Sequence, residues 1–297
     1  MDIRILRYFL TIAREQNITK AARVLHISQP SLSRQIKSLE DELGKTLIIR
    51  GKRNISLTDD GILLSKRAEE IIAMFDKTQK ELSNNSNNIG GEVSIGGNPI
   101  MSILTPAARL REKYPDVHYD FFIGSATEIT ERLDNGSIDF AILLKPIDIM
   151  KYDYIDLPDL SHWGLIIPRN HPLSEKPYIE RDDFIKVPLI LHSRPGLQRL
   201  IAQWAETDIE NLNISAAYNV VNRSPINFVK SGLGCFLTTD DLMPMPYDTD
   251  VCFKQLYPVL ETHYVMAWKR FAARGKAAEF FFSEVKEYIK NTDRDCS

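Results

Sequence analysis

The order of apolar and polar positions over the first 57 residues predicts three helices and a small hairpin. The third helix follows Ser28, a favourable N-cap, and ends at Gly44, a favourable C-cap. One apolar stripe recurs along it at helical spacing and is expected to be buried: Leu32, Ile36, Leu39 and Leu43. Thr19 is a candidate cap for the shorter helix before it. Two helices joined in this way are typical of a helix-turn-helix motif or of an ordinary helical hairpin with a solvated polar face.

The polar side of the third helix carries residue types that suit the major groove of DNA. Gln can pair with adenine and Arg with guanine, while Ser and Lys reach either base edges or phosphates. The candidate DNA-binding residues on these helices are Thr19, Gln29, Pro30, Ser31, Ser33, Arg34 and Lys37.

Two short β-prone runs then flank a cationic turn that contains Arg50, Lys52 and Arg53. Beside a helix-turn-helix, this hairpin predicts a wing that contacts phosphates or the minor groove. The alternative is a solvated cationic turn without a DNA contact. We include the three cations among the candidate DNA-binding residues.

Residues 58–85 predict one long helix with a heptad repeat. Thr58 is a candidate cap, and the acids Asp59 and Asp60 suit the positive end of the helix dipole. A narrow apolar seam on so long a helix favours pairing with a second copy of the chain. The seam residues assigned to dimerisation are Leu64, Ala68, Ile71, Phe75 and Leu82.

After a polar hinge at residues 86–91, the pattern changes to alternating strands and helices. Strands are predicted at 93–95, 117–123, 138–143, 164–167, 189–191, 216–221, 235–237 and 263–268. Helices are predicted at 103–113, 127–135, 197–206, 225–230 and 275–290. This alternation is typical of an α/β sheet with helical crossovers.

Charge is distributed unevenly along the chain. The net charge is −3, yet residues 1–57 contain 11 Lys and Arg against 5 Asp and Glu. A basic N-terminal module on an acidic body suits the binding of a polyanion by one end of the protein.

Other classes of protein find little support in the sequence. The chain has no G-x-S-x-G, H-E-x-x-H, P-loop or phosphate-binding G-x-G-x-x-G motif, so we predict no enzyme, no cofactor and no metal site. Cys235, Cys252 and Cys296 have no disulfide or metal spacing, which favours a reducing cytoplasm. A plain solute-binding receptor would need export, and the charged N-terminus does not resemble a signal peptide.

The first 91 residues resemble the N-terminal region of LysR-type transcriptional regulators. The resemblance rests on Ala21-Ala22, Leu25, Ser28-Gln29-Pro30, Leu32 to Ile36, Leu39-Glu40, Leu43-Gly44, Leu47, Arg50, Leu57-Thr58 and Gly61. The remainder resembles the effector domain of that family, through Leu104-Thr105-Pro106, Tyr114-Pro115, Glu131 to Gly136, His171-Pro172-Leu173 and Lys230 to Gly234.

This resemblance implies a winged helix-turn-helix DNA-binding domain at 1–57, a dimerising linker helix at 58–85 and a hinge at 86–91. It implies an effector-binding domain at 92–297 with two lobes, similar to periplasmic solute-binding proteins. Lobe one would comprise 92–160 and 268–297, and lobe two 161–267. The family also implies a homodimer, often a homotetramer built as a dimer of dimers, on a roughly two-fold DNA operator.

The effector site can be argued from the residues as well. Ligands of such sheets bind at the carboxyl ends of strands, where helix N-termini offer free N–H groups. The candidate effector-binding residues are Asn98, Pro99, Ile100, Ser125, Thr127, Trp163, Ser193, Arg194 and Asn222. The serines and Thr127 could instead be helix caps, and Arg194 either binds a carboxylate ligand or forms a surface salt bridge.

From these arguments we expect a cytoplasmic transcription regulator controlled by a small anionic effector between the lobes. Double-stranded DNA and the effector are its expected partners, and RNA polymerase is a further candidate. No contact with a membrane is expected.

Overall fold

Short polar side chains begin the helices of the first unit of the chain, Met1–Asn88. The structure is a computed structural model that describes residues 1–51, 54–83, 89–147, 151–219, 224–242 and 250–295. Ser28 Oγ accepts a hydrogen bond from the Ser31 N–H at 3.3 Å, as expected for an N-cap. The elements of this unit are α1 (Ile3–Glu15), α2 (Ile18–Val24), α3 (Gln29–Leu43), β1 (Ile48–Arg50), β2 (Ile55–Leu57) and α4 (Asp59–Ser83).

Two details of the helix-turn-helix differ from the sequence prediction. The cap of α2 is Asn17, whose Oδ1 accepts from the N–H groups of Thr19 and Lys20 at 3.0 Å each, so Thr19 lies inside the helix. Leu43 is 40% exposed, because the hydrophobic cluster that covers α3 reaches only to Leu39. Gly44 ends α3 with φ +64°, a conformation that glycine adopts without strain.

Glu40 fixes the β1–β2 hairpin, the predicted wing, to α3. Its carboxylate is buried on α3 and accepts hydrogen bonds from the backbone N–H groups of Leu47 at 2.8 Å and Ile48 at 3.3 Å. Those two residues are themselves buried at the start of the antiparallel β1–β2 hairpin. The sequence prediction gave Glu40 no role, although a buried carboxylate with two backbone donors is a strong local constraint.

The apolar stripe of α4 serves two purposes along its length. Thr58 caps the helix, with its Oγ1 accepting from the Gly61 N–H at 3.0 Å. Leu64 packs on the hydrophobic cluster of the first unit, and Ala68 is 0% exposed. Ala68 therefore belongs to the core of one chain and is corrected from the predicted dimer seam, whereas the half-buried Leu64 stays a prediction for that seam. Further along, Ile71 is 41% and Phe75 39% exposed.

The second unit, Ile89–Ser297, is an α/β structure. Its strands are β3 (Gly91–Gly96), β4 (Val117–Phe122), β5 (Phe140–Leu144), β6 (Tyr152–Pro168), β7 (Ile179–Glu180), β8 (Leu189–His192), β9 (Ile214–Tyr218), β10 (Cys235–Thr239), β11 (Val251–Tyr257) and β12 (Glu261–Lys269). Its helices are α5 (Met101–Lys113), α6 (Ala126–Asp134), α7 (Arg181–Phe184), α8 (Pro195–Trp204), α9 (Ser224–Lys230) and α10 (Lys276–Asp295). The strand order is β4-β3-β5-β12-β6-β10-β8-β9, with β11 on β6 and β7 on β11.

One long strand, β6, joins two halves of this sheet. The first half contains β4, β3, β5 and β12, and the second contains β10, β8, β9, β11 and β7. The first part of β6 pairs with β12, and the part from Trp163 to Pro168 pairs with β10 and β11. The sequence predicted only residues 164–167 of β6, and it predicted neither β7 nor β11. Two main hydrophobic clusters form on either side of this junction, one around Phe140 and Phe281 and the other around Phe184 and Leu189.

The boundary between the halves also differs from the prediction. The sequence placed residues up to 267 in the second lobe. In the structure Val265 and Met266 of β12 pair with β5 and are buried in the clusters of the first half. The chain therefore returns to the first half with β12, which begins at Glu261.

The buried Glu40 carboxylate makes a prediction about the wing. Glu40→Ala should leave the Leu47 and Ile48 N–H groups without an acceptor and destabilise the first unit by about 1–3 kcal/mol. Glu40→Gln, which keeps one acceptor oxygen, should be milder. Faster hydrogen exchange of the 45–50 peptide, measured by mass spectrometry, is the expected result. Asp41→Ala, at an exposed neighbour, is the control. Equal protection in Glu40→Ala and wild type would contradict the prediction.

Candidate nucleic-acid interface and ligand cleft

The exposed side of α3 forms a shallow concave surface. Its lining contains five of the predicted DNA-binding residues together with Glu40: Gln29, Pro30, Ser33, Arg34 and Lys37. The opposite side of α3 is anchored by three fully buried residues of the first unit: Leu32, Ile36 and Leu39. A helix held from below with a polar outer face can enter a major groove without disturbing its own core.

Two cations of this surface make weak, exposed contacts within the chain. Arg34 Nε donates to the Pro30 carbonyl at a long 3.4 Å. Lys37 Nζ lies 3.0 Å from an Asp41 carboxylate oxygen, and both side chains are about two-thirds exposed. Exposed pairs of this kind contribute little and can yield to a phosphate. Of the wing cations, Lys52 and Arg53 and the side chain of Arg50 lie outside the described residues.

A second candidate site lies in the second unit, called the effector unit from here on, between the two halves of its sheet. The first half contributes mostly apolar walls from β5, α6 and the β4–α6 loop: Ile123, Ile129, Ile142, Leu143 and Leu144. The second half contributes aromatic and polar side chains: Trp163, His192, Arg194, Tyr218, Thr238 and Thr239. The cavity measures about 90 Å³. Gly97 lets the chain after β3 pass close to β5 at the cleft, because a Cβ there would collide with the Ile142 carbonyl.

Arg194 connects the two halves through its guanidinium group. Arg194 lies at the start of α8, and its Nη2 donates to the carbonyls of Leu144, at 2.6 Å, and of Pro146. A carboxylate binds an arginine side-on through Nε and Nη2 or end-on through both Nη groups, so each mode uses Nη2. Arg194 therefore cannot bind a carboxylate with two parallel hydrogen bonds unless it releases the first half.

Carboxylates of the chain already occupy two of the helix starts that were expected to bind an anion. The Glu128 carboxylate accepts from the Ser125 N–H and hydroxyl at 2.7 Å each, which completes a capping box on α6. These hydrogen bonds hold the pKa of Glu128 below its ordinary value. At α5, the Ser102 N–H donates to Asp159 Oδ1 at 3.4 Å. The two observations remove the main supports of the anion prediction.

His192 is uncharged at neutral pH. Burial and the nearby Arg194 charge lower its pKa to about 4. Its Nδ1 accepts a hydrogen bond from the Arg194 backbone N–H at 3.0 Å, so the neutral ring carries its proton on Nε2. The imidazole also meets the Tyr218 ring edge to face, with 5.1 Å between ring centroids.

The predicted effector residues are distributed over several places. Asn98, Trp163 and Arg194 line the cleft, and Thr127 lines a neighbouring groove between α6 and α8. Within the described ranges, Pro99, Ile100, Ser125 and Ser193 do not line the cleft. Asn222 lies outside the described residues.

Tyr218, Thr238, Thr239 and Tyr264 are cleft residues that the sequence analysis missed. Thr238 and Thr239 end β10, a strand that was predicted, so the rule that ligands meet the carboxyl ends of strands would have found them. In the described part of the chain, no three His, Cys, Asp or Glu side chains gather as a metal site. There, too, none of the helices has the length and apolar character needed to span a bilayer.

Comparisons with known proteins agree with this arrangement. Residues 3–62 match the family model of the bacterial regulatory helix-turn-helix protein, lysR family, and residues 86–290 match the LysR substrate binding domain. The regulator BsdA of Bacillus subtilis is 31% identical over 82% of this chain and 86% of its own length. AlsR of the same organism is 29% identical over 91% of each chain.

Solved structures share the fold over nearly the whole chain. Full-length CbnR in complex with its target DNA superposes with a TM-score of 0.76 at 19% identity, covering 97% of this chain and 100% of CbnR. At that identity the likeness concerns the fold alone.

The lowered pKa of His192 predicts a pH dependence of stability. His192 binds a proton near pH 6.5 in the unfolded chain but only near pH 4 in the folded chain. The free energy of unfolding therefore falls as the pH drops from 6.5 towards 4. The loss should be on the order of 2 kcal/mol, and it should shrink in His192→Asn, which keeps an acceptor for the Arg194 N–H. Thermal unfolding of both proteins between pH 7.5 and 5 measures it. Parallel curves for the two proteins would contradict the assignment.

Proposed function

Because this chain belongs to the LysR family of bacterial DNA-binding transcriptional regulators with an effector-binding domain, we propose roles for its own residues in that function. Gln29 and Arg34 read base edges in the major groove, while Lys37 contacts phosphate. A small molecule in the cleft between β5, α6 and α8 controls DNA binding. The observation that carries the proposal is the concave surface of α3, which presents these three side chains together.

The proposal for DNA follows from the chemistry of that surface. Gln can form two hydrogen bonds with adenine and Arg with guanine, each worth roughly 1–3 kcal/mol of discrimination. Lys37 is better suited to a phosphate, because its ammonium group is a point charge without a planar fork. Residues 1–57 carry a net charge of 11 − 5 = +6, which adds an attraction to the DNA backbone that does not depend on the base sequence.

The proposal for control follows from the position of the cleft. A ligand that contacts both halves stabilises one relative orientation of those halves, provided that it binds this orientation more tightly than others. A change of that kind can alter the spacing of two DNA-binding modules in an assembled dimer. We propose a homodimer as the basic assembly in the bacterial cytoplasm, with a dimer of dimers and a contact with RNA polymerase as its extensions.

The DNA assignment predicts a loss of sequence preference in Gln29→Ala. The full-length protein should first select a duplex from a random library, and affinities for that duplex and a scrambled one are then compared by fluorescence anisotropy. Gln29→Ala should lose about tenfold or more on the selected duplex and little on the scrambled one. Lys37→Ala should weaken both and flatten the salt dependence by about one phosphate.

Gln35→Ala is the matched control, because it makes the same truncation on the flank of the same helix. Equal losses of Gln29→Ala on the selected and the scrambled duplex would refute base recognition by Gln29. Failure to select any duplex would refute the regulator proposal as a whole.

The exposed stretch of α4 predicts where two chains pair. Ile71→Glu or Phe75→Glu should place a charge in the seam and convert residues 1–90 to monomers in analytical ultracentrifugation. Lys66→Glu introduces the same side chain on roughly the opposite side of the helix and should leave the dimer intact. A dimer that survives both seam substitutions would place the interface elsewhere.

A further inference from the structure

The chemistry of the cleft points to a class of ligand. We propose that it binds a small uncharged molecule, with apolar walls around its body and a carbonyl or amide oxygen as hydrogen-bond acceptor. This inference rests on the proposed function, since it names the kind of effector that would control this regulator. Its first support is the indole N–H of Trp163, and its second is the way in which the charged groups around the cleft are already paired.

Trp163 offers a buried donor without an acceptor. The side chain is 2% exposed and lines the cleft, and its Nε1 has no hydrogen-bond partner among the described residues. An indole N–H can only donate, so it is satisfied by an oxygen or nitrogen lone pair and by nothing else. Leaving such a group unpaired costs about 1–3 kcal/mol, which a suitable ligand would restore.

Thr239 places a hydroxyl next to that donor. Trp163 on β6 and Thr239 on β10 are direct cross-strand partners, so their side chains lie side by side at the cleft. The hydroxyls of Thr239 and Thr238 lie beside the phenols of Tyr264 and Tyr218. Over the residues that the structure describes, neither hydroxyl makes a hydrogen bond of good geometry. Because side chains alternate along a strand, Thr239 is the threonine on the same side as Trp163, and these two residues place two donors without an acceptor side by side.

The charges near this position do not favour a carboxylate. Both binding modes of the Arg194 fork require Nη2, which is committed to two carbonyls. The Glu128 carboxylate accepts from the Ser125 N–H, and the Asp241 carboxylate already accepts the Tyr264 hydroxyl at 2.6 Å. Burial and the Asp241 charge raise the pKa of Tyr264, which therefore remains a neutral phenol. An anionic ligand in the cleft would have the Asp241 carboxylate close by, next to the cleft residue Tyr264, and would not gain two parallel hydrogen bonds from the guanidinium.

Size and polarity complete the assignment. The cavity of about 90 Å³ is far smaller than the roughly 300 Å³ at which drug-sized pockets begin, so the ligand has few non-hydrogen atoms. Aliphatic side chains of β5 and α6 line one side of it and polar and aromatic side chains the other, which favours a compact apolar body with one polar end.

The test compares amides with the acids of the same shape. Acetamide, butyramide and benzamide are titrated into the full-length protein at pH 7.5 by calorimetry, alongside acetate, butyrate and benzoate. At least one amide should bind tenfold or more tightly than its acid. Trp163→Phe removes the donor, and Thr239→Val removes the hydroxyl at nearly constant volume. Each substitution should lower the affinity for that amide about tenfold.

Two further measurements separate ligand binding from folding. Thr239→Val should unfold at or above the wild-type temperature, because it deletes a buried hydroxyl without a partner. Trp204→Phe is the matched control for the indole: Trp204 Nε1 donates to the Pro258 carbonyl at 2.7 Å, so this change should lower stability and spare amide binding.

Three results would overturn the inference: tighter or equal binding of an acid, no binding by any amide, or unchanged affinity in Trp163→Phe and Thr239→Val. Each of them leaves the proposed regulator function standing, because selection of a DNA duplex by the full-length protein is measured without any of these probes.

Discussion

The two halves of the effector unit depend on one shared strand and one arginine. β6 pairs with β12 in the first half and with β10 and β11 in the second, so the halves cannot separate without breaking these ladders. Arg194 then ties the start of α8 to the carbonyls at the end of β5. Hydrogen bonds from a charged donor are worth roughly 1.5–3 kcal/mol each, which is comparable to the effect of a ligand on such an equilibrium.

The proposed ligand site lies beside this contact between Arg194 and the end of β5. Trp163 begins the part of β6 that belongs to the second half, and Arg194 follows β8 by two residues. A molecule that binds the Trp163 indole therefore lies within reach of the elements that set the angle between the halves. Under the proposed function such a ligand would act directly on the angle between the halves, because Trp163 belongs both to the cleft and to the strand that the halves share.

The sequence predicted those features that depend on local patterns. The stripe of Leu32, Ile36 and Leu39, the Ser28 cap and the alternation of strands and helices all follow from spacing and residue type. The first part of β6 was missed because its aspartates and Pro158 are unfavourable in strands, and only pairing with β12 compensates. The partners of Arg194 lie about fifty positions earlier in the chain, so no local signal could identify them.

The discontinuous first half has a consequence for synthesis on the ribosome. Its core brings Val93 and Ile95 of β3 together with Phe281 and Val285 of α10, near the end of the chain. At bacterial translation rates the second pair emerges roughly 10–40 s after the first. Met1–Asn88, which has its own core, can fold during that interval, whereas the part of the second core that α10 covers stays exposed until α10 is made. The first half of the second unit is therefore among the last parts of the chain to complete its core, although its first strand is made early.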